Sequence, residues 1–282
     1  MNDRWNYCIT GYIIGHPKHG AFVALNPDDA KKYVGGIDLT GTPRGMHVTS
    51  LDAGTTAAPI FDQAKTQAQV IGSGLFSFAE GVTPSVRTAI SDSALLAQLV
   101  ANKKMNAEQD PLEWFKEYAD VLVHLGWTLQ DQGWTDYSTS GTGAEVHEKI
   151  LEVATIALGA APTALLVITA SVNALKGMKP DSSWLTLFNR ESQKAKIARF
   201  QIGLVSTDPA GEVFVQLLAC LIRAEDNITQ VLFFKFRNAH ASFQANSSKV
   251  SINASSLVDL APTIQSKTRA YQQDYLSKIL DL

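Results

Sequence analysis

The residues best suited to covalent or metal chemistry are two cysteines and six histidines. Cys220 lies in the apolar run VFVQLLACLIRA, whereas Cys8 has no comparable apolar setting. A free cysteine in such a run is usually a buried structural residue, and burial opposes formation of the reactive thiolate. The same surroundings would shelter a thioester-linked acyl chain, because each buried methylene contributes about 0.8 kcal/mol. Two roles therefore stay open for Cys220, a structural thiol and an acylation site.

The histidines do not complete a metal site. His16 and His19 stand close together in a proline-containing loop, but no cysteine or carboxylate completes a ligand set. Neither a G-x-S-x-G elbow nor a P-loop occurs in the sequence. The sequence therefore predicts no metal and favours a non-catalytic function. An enzyme of acyl-thioester chemistry remains the alternative, with Cys220 as nucleophile and His147 or His240 as its base.

Composition limits the classes of partner. The chain has 282 residues, of which 45% are hydrophobic and 18% charged, as expected of a globular protein. The net charge is -3 and no basic block occurs, which argues against nucleic-acid binding and against an electrostatic hold on anionic lipid. The first residues, MNDRWNYCIT, do not have the pattern of a signal peptide. We expect synthesis in the cytoplasm, and any release would use another route.

The stretch VATIALGAAPTALLVITASVNAL, residues 153–175, contains no charged residue. Its length could span a bilayer, but polar residues dilute it, and Gly159 followed by Pro162 marks the end of one helix and the start of another. Apolar side chains recur at helical spacing before and after Pro162. We predict two helices that cover a sheet in the soluble state. At a membrane these helices would peel away, so a disulfide that locks them to the sheet should abolish membrane association.

The remaining patterns divide the chain into a helical part and a strand-rich part. Helical spacing predicts helices over 59–71, 85–104 and 111–127, and a C-terminal helix that is interrupted near Pro262. Period-two alternation and apolar runs between turns predict strands over 5–14, 127–137, 196–207, 211–224, 229–245 and 249–253. The run that contains Cys220 is apolar at almost every position, which favours a central strand covered on both faces.

These elements predict an α+β class, with a single, largely antiparallel sheet wrapped by helical layers. We expect one domain over 1–282, helix-rich over 55–180 and strand-rich over 195–253, with a C-terminal helical segment over 255–282.

Four motifs in one order carry a resemblance to a known family. They are KILEVATIALGAAPTALLVITASVNAL, SSWLTLFNRESQ, FQIGLVSTDPAGEVFVQLLACLI and ITQVLFFKFRNAHASFQANSSKVSIN, and together they cover roughly Val146 to Asn253. This region resembles the cytolytic (Cyt) delta-endotoxin superfamily. The length of the chain and the lack of a toxin-like propeptide suggest the virulence-factor members more than the crystal toxins. The N-terminal third departs from the Cyt pattern, which puts pore formation in doubt.

The resemblance implies a helix-wrapped sheet and a virulence or toxin-like protein that acts on membrane lipids. It also implies a covalent, palmitate-like fatty acyl group on Cys220. The apolar side chains expected to line a pocket for that chain are Val215, Leu217, Leu218, Ile222, Leu158, Leu165, Ile168, Val172, Phe234 and Phe236. A soluble binder of a non-covalent apolar ligand is a further alternative. Protein partners do not follow from these motifs.

Overall fold

Residues 26–42, 60–139, 143–158, 161–236 and 241–282 are described by the computed structural model. They form eight helices and eight strands. The helices are α1 (Pro27–Gly36), α2 (Pro84–Lys104), α3 (Pro111–His124), α4 (Val146–Leu158), α5 (Pro162–Lys176), α6 (Ser183–Ser192), α7 (Ala254–Thr268) and α8 (Gln272–Tyr275). The strands are β1 (Gln67–Ile71), β2 (Gly74–Phe78), β3 (Trp127–Tyr137), β4 (Gln193–Lys194), β5 (Ile197–Thr207), β6 (Val213–Ala224), β7 (Ala241–Ile252) and β8 (Leu280–Asp281).

All eight strands belong to one sheet, in the order β3-β7-β6-β5-β2-β1-β8, with the short β4 paired to β5. Every pairing is antiparallel except that of β2 with β5. The turn between β5 and β6 is the short Asp208–Gly211 segment, and it allows the two strands to pair over their full length. The predicted α+β class with a single, largely antiparallel sheet is confirmed.

The central strand β6 is covered on both faces, as its apolar sequence predicted. Val213, Val215, Leu217 and Leu221 pack in a core shared with α2, α3 and α7, which we call the α2 side. The intervening Leu218, Cys220 and Ile222 pack in a second core with α4, α5 and α6. Successive side chains of a strand point to opposite faces, so the run supplies both cores at once.

Several helices begin where local signals predict. Thr83 caps α2, its hydroxyl oxygen accepting from the Val86 amide, and Pro84 occupies the first turn. Pro111 and Pro162 stand at the starts of α3 and α5. The helices predicted near 85–104 and 111–127, the two helices around Pro162 and the strand at 127–137 are thus confirmed.

The helix predicted over 59–71 is wrong within its described part. Residues Gln67–Ile71 form β1, which turns at Gly72 and pairs with β2. Gly72 has a φ of 53°, a conformation that glycine adopts without steric cost. Every side chain of β1 is buried, so the positions that mimic a helical stripe are instead the interior of the sheet.

Two further predictions about the last third need correction. The residues around Phe234 form turns and one isolated bridge between Lys235 and Glu145, whereas Ala241–Ile252 is one continuous strand rather than two. Its polar centre pairs with β6 without a break in register, and there the Gln216 amide donates to the Ser247 hydroxyl. At the C-terminus α7 continues through Pro262, and the segment after Thr268 forms α8 and β8 instead of helix alone. The strand predicted over 5–14 lies outside the described residues.

Candidate functional site

Cys220 lies at the centre of the sheet with no exposed surface. In the strand register its neighbours are Phe200 on β5 and Ala245 on β7. Burial raises the pKa of the thiol far above its ordinary value, because a thiolate would lose its hydration there. The thiol forms no hydrogen bond with any described residue, and its surroundings are apolar.

Aromatic rings surround this part of the sheet. Phe200 packs edge-on against Phe188 of α6 with the ring centres 5.7 Å apart. Phe236 contacts Phe234 at 5.7 Å and Phe243 at 6.1 Å. The layer between the sheet and the helices on this face is therefore apolar, as an acyl chain requires, and closely packed, so a chain attached to Cys220 would have to displace part of it.

The predicted lining residues separate into two groups. Those on the Cys220 face are Leu218, Ile222, Ile168, Val172 and Phe236, which are buried, and Leu158, Leu165 and Phe234, which are partly buried. Val215 and Leu217 lie on the α2 side and are not brought together with Cys220. The sequence missed Phe188, Phe200 and Phe243 as neighbours of this layer. Phe200 and Phe243 could have been found by pairing the predicted strands and selecting the alternate positions that share a face with Cys220.

The helices α4 and α5, which we call the hairpin, cover this layer. From Val153 to Leu175 the chain carries no charged residue. At the far end, where α4 ends and α5 begins, Ile156 is 63% exposed and Leu166 is 68% exposed. Contiguous exposed apolar surface is a feature of sites that contact a protein partner or a lipid surface. Across the described ranges, none of the helices combines the length and apolar character needed to cross a membrane.

Polar ties hold the hairpin at its opposite end, the base. The amide of Val146 donates to the Phe234 carbonyl and that of His147 to the Leu232 carbonyl. Glu145 lies 3.5 Å from the Lys235 ammonium and 3.7 Å from that of Lys176. We call Glu145, His147, Lys176 and Lys235 the base cluster.

The far end has no such ties. In the described residues 150–158 and 161–170, each hydrogen bond stays within the hairpin, as in the bond from the Thr155 hydroxyl to the Leu151 carbonyl. Apolar packing alone holds this end to the sheet. The hydrogen bonds between the hairpin and the rest of the described chain are therefore confined to the half of the hairpin that contains its base.

His147 does not act on Cys220 in this arrangement. Its Nε2 lies 2.8 Å from the Lys176 Nζ, and its Nδ1 lies 3.2 Å from a Glu145 carboxylate oxygen. Both ring nitrogens are thus occupied by groups other than the thiol. His240, the second base considered, lies outside the described residues, as does Cys8. Within the part of the chain that the structure describes, no group of His, Cys, Asp and Glu could hold a metal ion.

Two surface pockets lie away from Cys220. One, of about 690 Å³, lies between α1 and α2 and is lined by Tyr33 and Lys103. The other, of about 470 Å³, lies between α2 and the α7–α8 segment and is lined by Asp92 and Gln272. Neither pocket reaches the hairpin, so neither would receive an acyl chain from Cys220.

Comparison with known proteins finds likeness in solved structures alone. No protein-family model and no curated protein matches the chain. The structure of the Evf virulence factor is similar at 14% identity and a TM-score of 0.38, over 89% of this chain and 91% of that one. A delta-endotoxin is similar at 12% identity and a TM-score of 0.37, over 71% of this chain and 86% of its own.

The activated Cyt2Ba monomer from Bacillus thuringiensis subsp. israelensis is similar at 15% identity and a TM-score of 0.36, over 63% of this chain and 96% of that one. A virulence factor and delta-endotoxins are thus among the structures this chain resembles, as the sequence motifs predicted. At identities of 12–15% these likenesses assign it neither a family nor an activity.

Proposed function

We propose that this protein is a virulence or toxin-like protein that associates with lipid membranes through the hairpin, without catalytic turnover. The observation that carries the proposal is the far end of the hairpin. Ile156 and Leu166 are exposed there, no charge lies between Val153 and Leu175, and apolar packing alone holds that end to the sheet. A lipid surface can accept such an end without any buried charge having to be transferred.

The length of the helices limits the mode of association. With 13 and 15 residues, α4 and α5 are each about 20 Å long. The hydrocarbon core of a bilayer is about 30 Å thick. The hairpin would therefore enter the interfacial region and part of one leaflet, with its base cluster remaining at the polar side.

We propose further that Cys220 carries a fatty acyl group as a thioester. The bond forms between its sulfur and the acyl carbon of a thioester donor, and the donor's thiol leaves with the Cys220 proton. The acyl chain would lie between the sheet and the hairpin, against Leu218 and Ile168. The absence of exposed surface at Cys220 supports retention of the group, because water cannot reach the thioester to hydrolyse it. Attachment requires the hairpin to lift, which is the movement that membrane association also uses.

Flotation with neutral phosphatidylcholine vesicles tests the hairpin. The variant Ile156→Ser/Leu166→Ser removes the exposed apolar side chains, and we expect vesicle affinity to fall at least about tenfold, since each side chain contributes about 1 kcal/mol or more when buried. The matched control is Val123→Ser, which removes a 48% exposed apolar side chain from α3. Equal binding by all three proteins, or equal loss in both variants, would refute the role of the hairpin.

The acyl group has its own test. Intact mass is measured before and after neutral hydroxylamine, using protein from cells that produce it naturally and the variant Cys220→Ser beside it. We expect an excess mass that hydroxylamine removes and that the variant lacks. An unmodified mass would show that Cys220 is a structural thiol. The outcome of the vesicle experiment on the hairpin does not depend on this result.

A further inference from the structure

The pocket between α2 and the α7–α8 segment, which we call the α2–α7 pocket, has a volume of about 470 Å³. Sites for small molecules usually have volumes of about 300–1,000 Å³ and combine apolar walls with a few polar groups. This pocket lies on the α2 side of the sheet, opposite the face that the hairpin covers. Its polar lining side chains include Gln69, Ser91, Asp92, Gln265, Arg269 and Gln272.

Asp92 is a buried charge without a counter-charge. It is 1% exposed, and none of the described residues forms an ion pair with its carboxylate. Its two oxygens accept one hydrogen bond each, from the side-chain amides of Gln265 and Gln272. Both amides are neutral, and burial raises the pKa of the carboxyl despite their bonds. Because buried charges in proteins are ordinarily paired, the site lacks a positive charge that a ligand could supply.

The side chains around Asp92 are arranged to accept hydrogen bonds. A carboxylate can only accept, so the nitrogen end of each glutamine amide faces it, and the oxygen ends accept nothing from a described residue. The Ser91 hydroxyl donates to Gln69, which leaves its oxygen able to accept. Several acceptors beside one negative charge match a protonated primary amine, which has three N–H donors and a positive charge.

Other lining residues carry the opposite charge and an apolar surface. Arg269, at the C-terminal end of α7, is exposed and forms no ion pair with a described residue. Ile60 is 81% exposed, whereas Phe61 and Ile279 are partly buried. A ligand whose ammonium contacts Asp92 could therefore direct an anionic group to Arg269 and an apolar group to these side chains.

We propose that the α2–α7 pocket binds a zwitterionic α-amino acid with an apolar side chain. The ammonium of the ligand pairs with Asp92, its carboxylate pairs with Arg269, and its side chain contacts Phe61 and Ile279. The Arg269 side chain is exposed and therefore free to turn toward the ligand. This site goes beyond the proposed membrane function and does not depend on it, since the pocket does not reach the hairpin.

Equilibrium dialysis of the full chain with L-leucine tests the site. We expect saturable binding that isopentylamine, which lacks the carboxylate, and 4-methylpentanoate, which lacks the ammonium, show at least about tenfold more weakly. Each analogue loses one of the two charged contacts. Absence of saturable binding of L-leucine up to about 10 mM would overturn the proposal. Equal affinity for L-leucine and either analogue would overturn it as well.

Two variants assign the binding to the pocket. Asp92→Asn keeps the size of the side chain and removes its charge, and we expect its affinity for L-leucine to fall at least about tenfold. Removal of an unpaired buried charge should not unfold the protein, so lost binding would report the site itself. Arg269→Gln should reduce the affinity for L-leucine to that for isopentylamine, because the contact with the ligand carboxylate is lost.

The matched controls change the same charges outside the pocket. They are Asp259→Asn, exposed on α7, and Lys31→Gln, exposed on α1, and both should bind L-leucine as the unaltered protein does. Undiminished binding by Asp92→Asn, or an equal loss in either control, would show that L-leucine does not bind in this pocket. Thermal unfolding of each variant shows whether it is folded.

Discussion

The hydroxyl oxygens of Ser77 on β2 and Ser171 on α5 lie 2.6 Å apart, and both side chains are buried. Ser171 donates its own proton to the Val167 carbonyl, so Ser77 donates to Ser171. Among the described residues this is the one hydrogen bond that joins the hairpin to a strand of the sheet. It lies on the base half of α5, which leaves the far end free to move.

Removing one partner of the Ser77–Ser171 hydrogen bond should be costly, because the other hydroxyl is then buried without a partner. Removing both hydroxyls leaves no such unpaired group. We expect Ser171→Ala to lower the free energy of unfolding by about 1–3 kcal/mol, because the Ser77 hydroxyl stays buried without an acceptor. Ser77→Ala/Ser171→Ala should cost less than the sum of the two single changes. Urea unfolding measures all three, with the exposed Ser266→Ala as the control. Strictly additive costs would show that the bond does not contribute.

The rate at which the Cys220 thiol reacts should report opening of the hairpin. In a Cys8→Ser background, we expect a maleimide to react with native protein at least about a hundredfold more slowly than with protein unfolded in urea, since the thiol is buried and its pKa is raised. Vesicles should accelerate the native reaction if the hairpin lifts. Similar rates in native and unfolded protein would contradict the buried position.

Gly203 on β5 leaves room for the ring of Phe76. A Cβ at position 203 would lie 2.6 Å from two ring carbons of Phe76, the residue opposite it in the parallel β2–β5 pair. Gly203→Ala should therefore destabilise the protein by about 1–3 kcal/mol, through forced displacement of a buried ring. Thermal or urea unfolding measures this cost. Gly35→Ala is the control, since a Cβ there meets nothing within 4 Å, and a similar loss in it would point to another cause.

Asp92 on α2 should make stability depend on pH. It is buried, and its carboxylate accepts from the side-chain amides of Gln265 and Gln272. Desolvation raises its pKa despite those bonds, so the folded protein binds the proton more tightly than the unfolded chain. Its contribution to stability is then fully present below the ordinary aspartate pKa of about 3.9 and is lost as the pH rises through the raised value.

The variant Asp92→Asn tests this sign. It should be more stable than the unaltered protein at neutral pH, and the difference should shrink as the pH falls toward about 4. Asp259→Asn, on the exposed face of α7, should change stability by less than about 0.5 kcal/mol at either pH. A variant that is less stable at neutral pH would show that the charged form of Asp92 is favoured after all.

The sequence by itself determined the elements whose signals are local. Helical spacing with proline at the first turn located α2, α3, α4 and α5, and turn residues between apolar runs located β5 and β6. These patterns depend on neighbours within one or two turns of the chain, and they also gave the single sheet covered by helices.

Only the tertiary structure decided which residues face each other. The spacing over 59–71 fits a helix as well as a buried strand, and pairing with β2 decides between them. A strand that is apolar on both faces does not show which half of its side chains accompanies Cys220, so Val215 and Leu217 could not be separated from Leu218 and Ile222. The contact of His147 with Lys176 spans 29 residues and that of Ser77 with Ser171 spans 94. Such contacts arise from the packing of whole elements, and local periodicity in the sequence does not specify them.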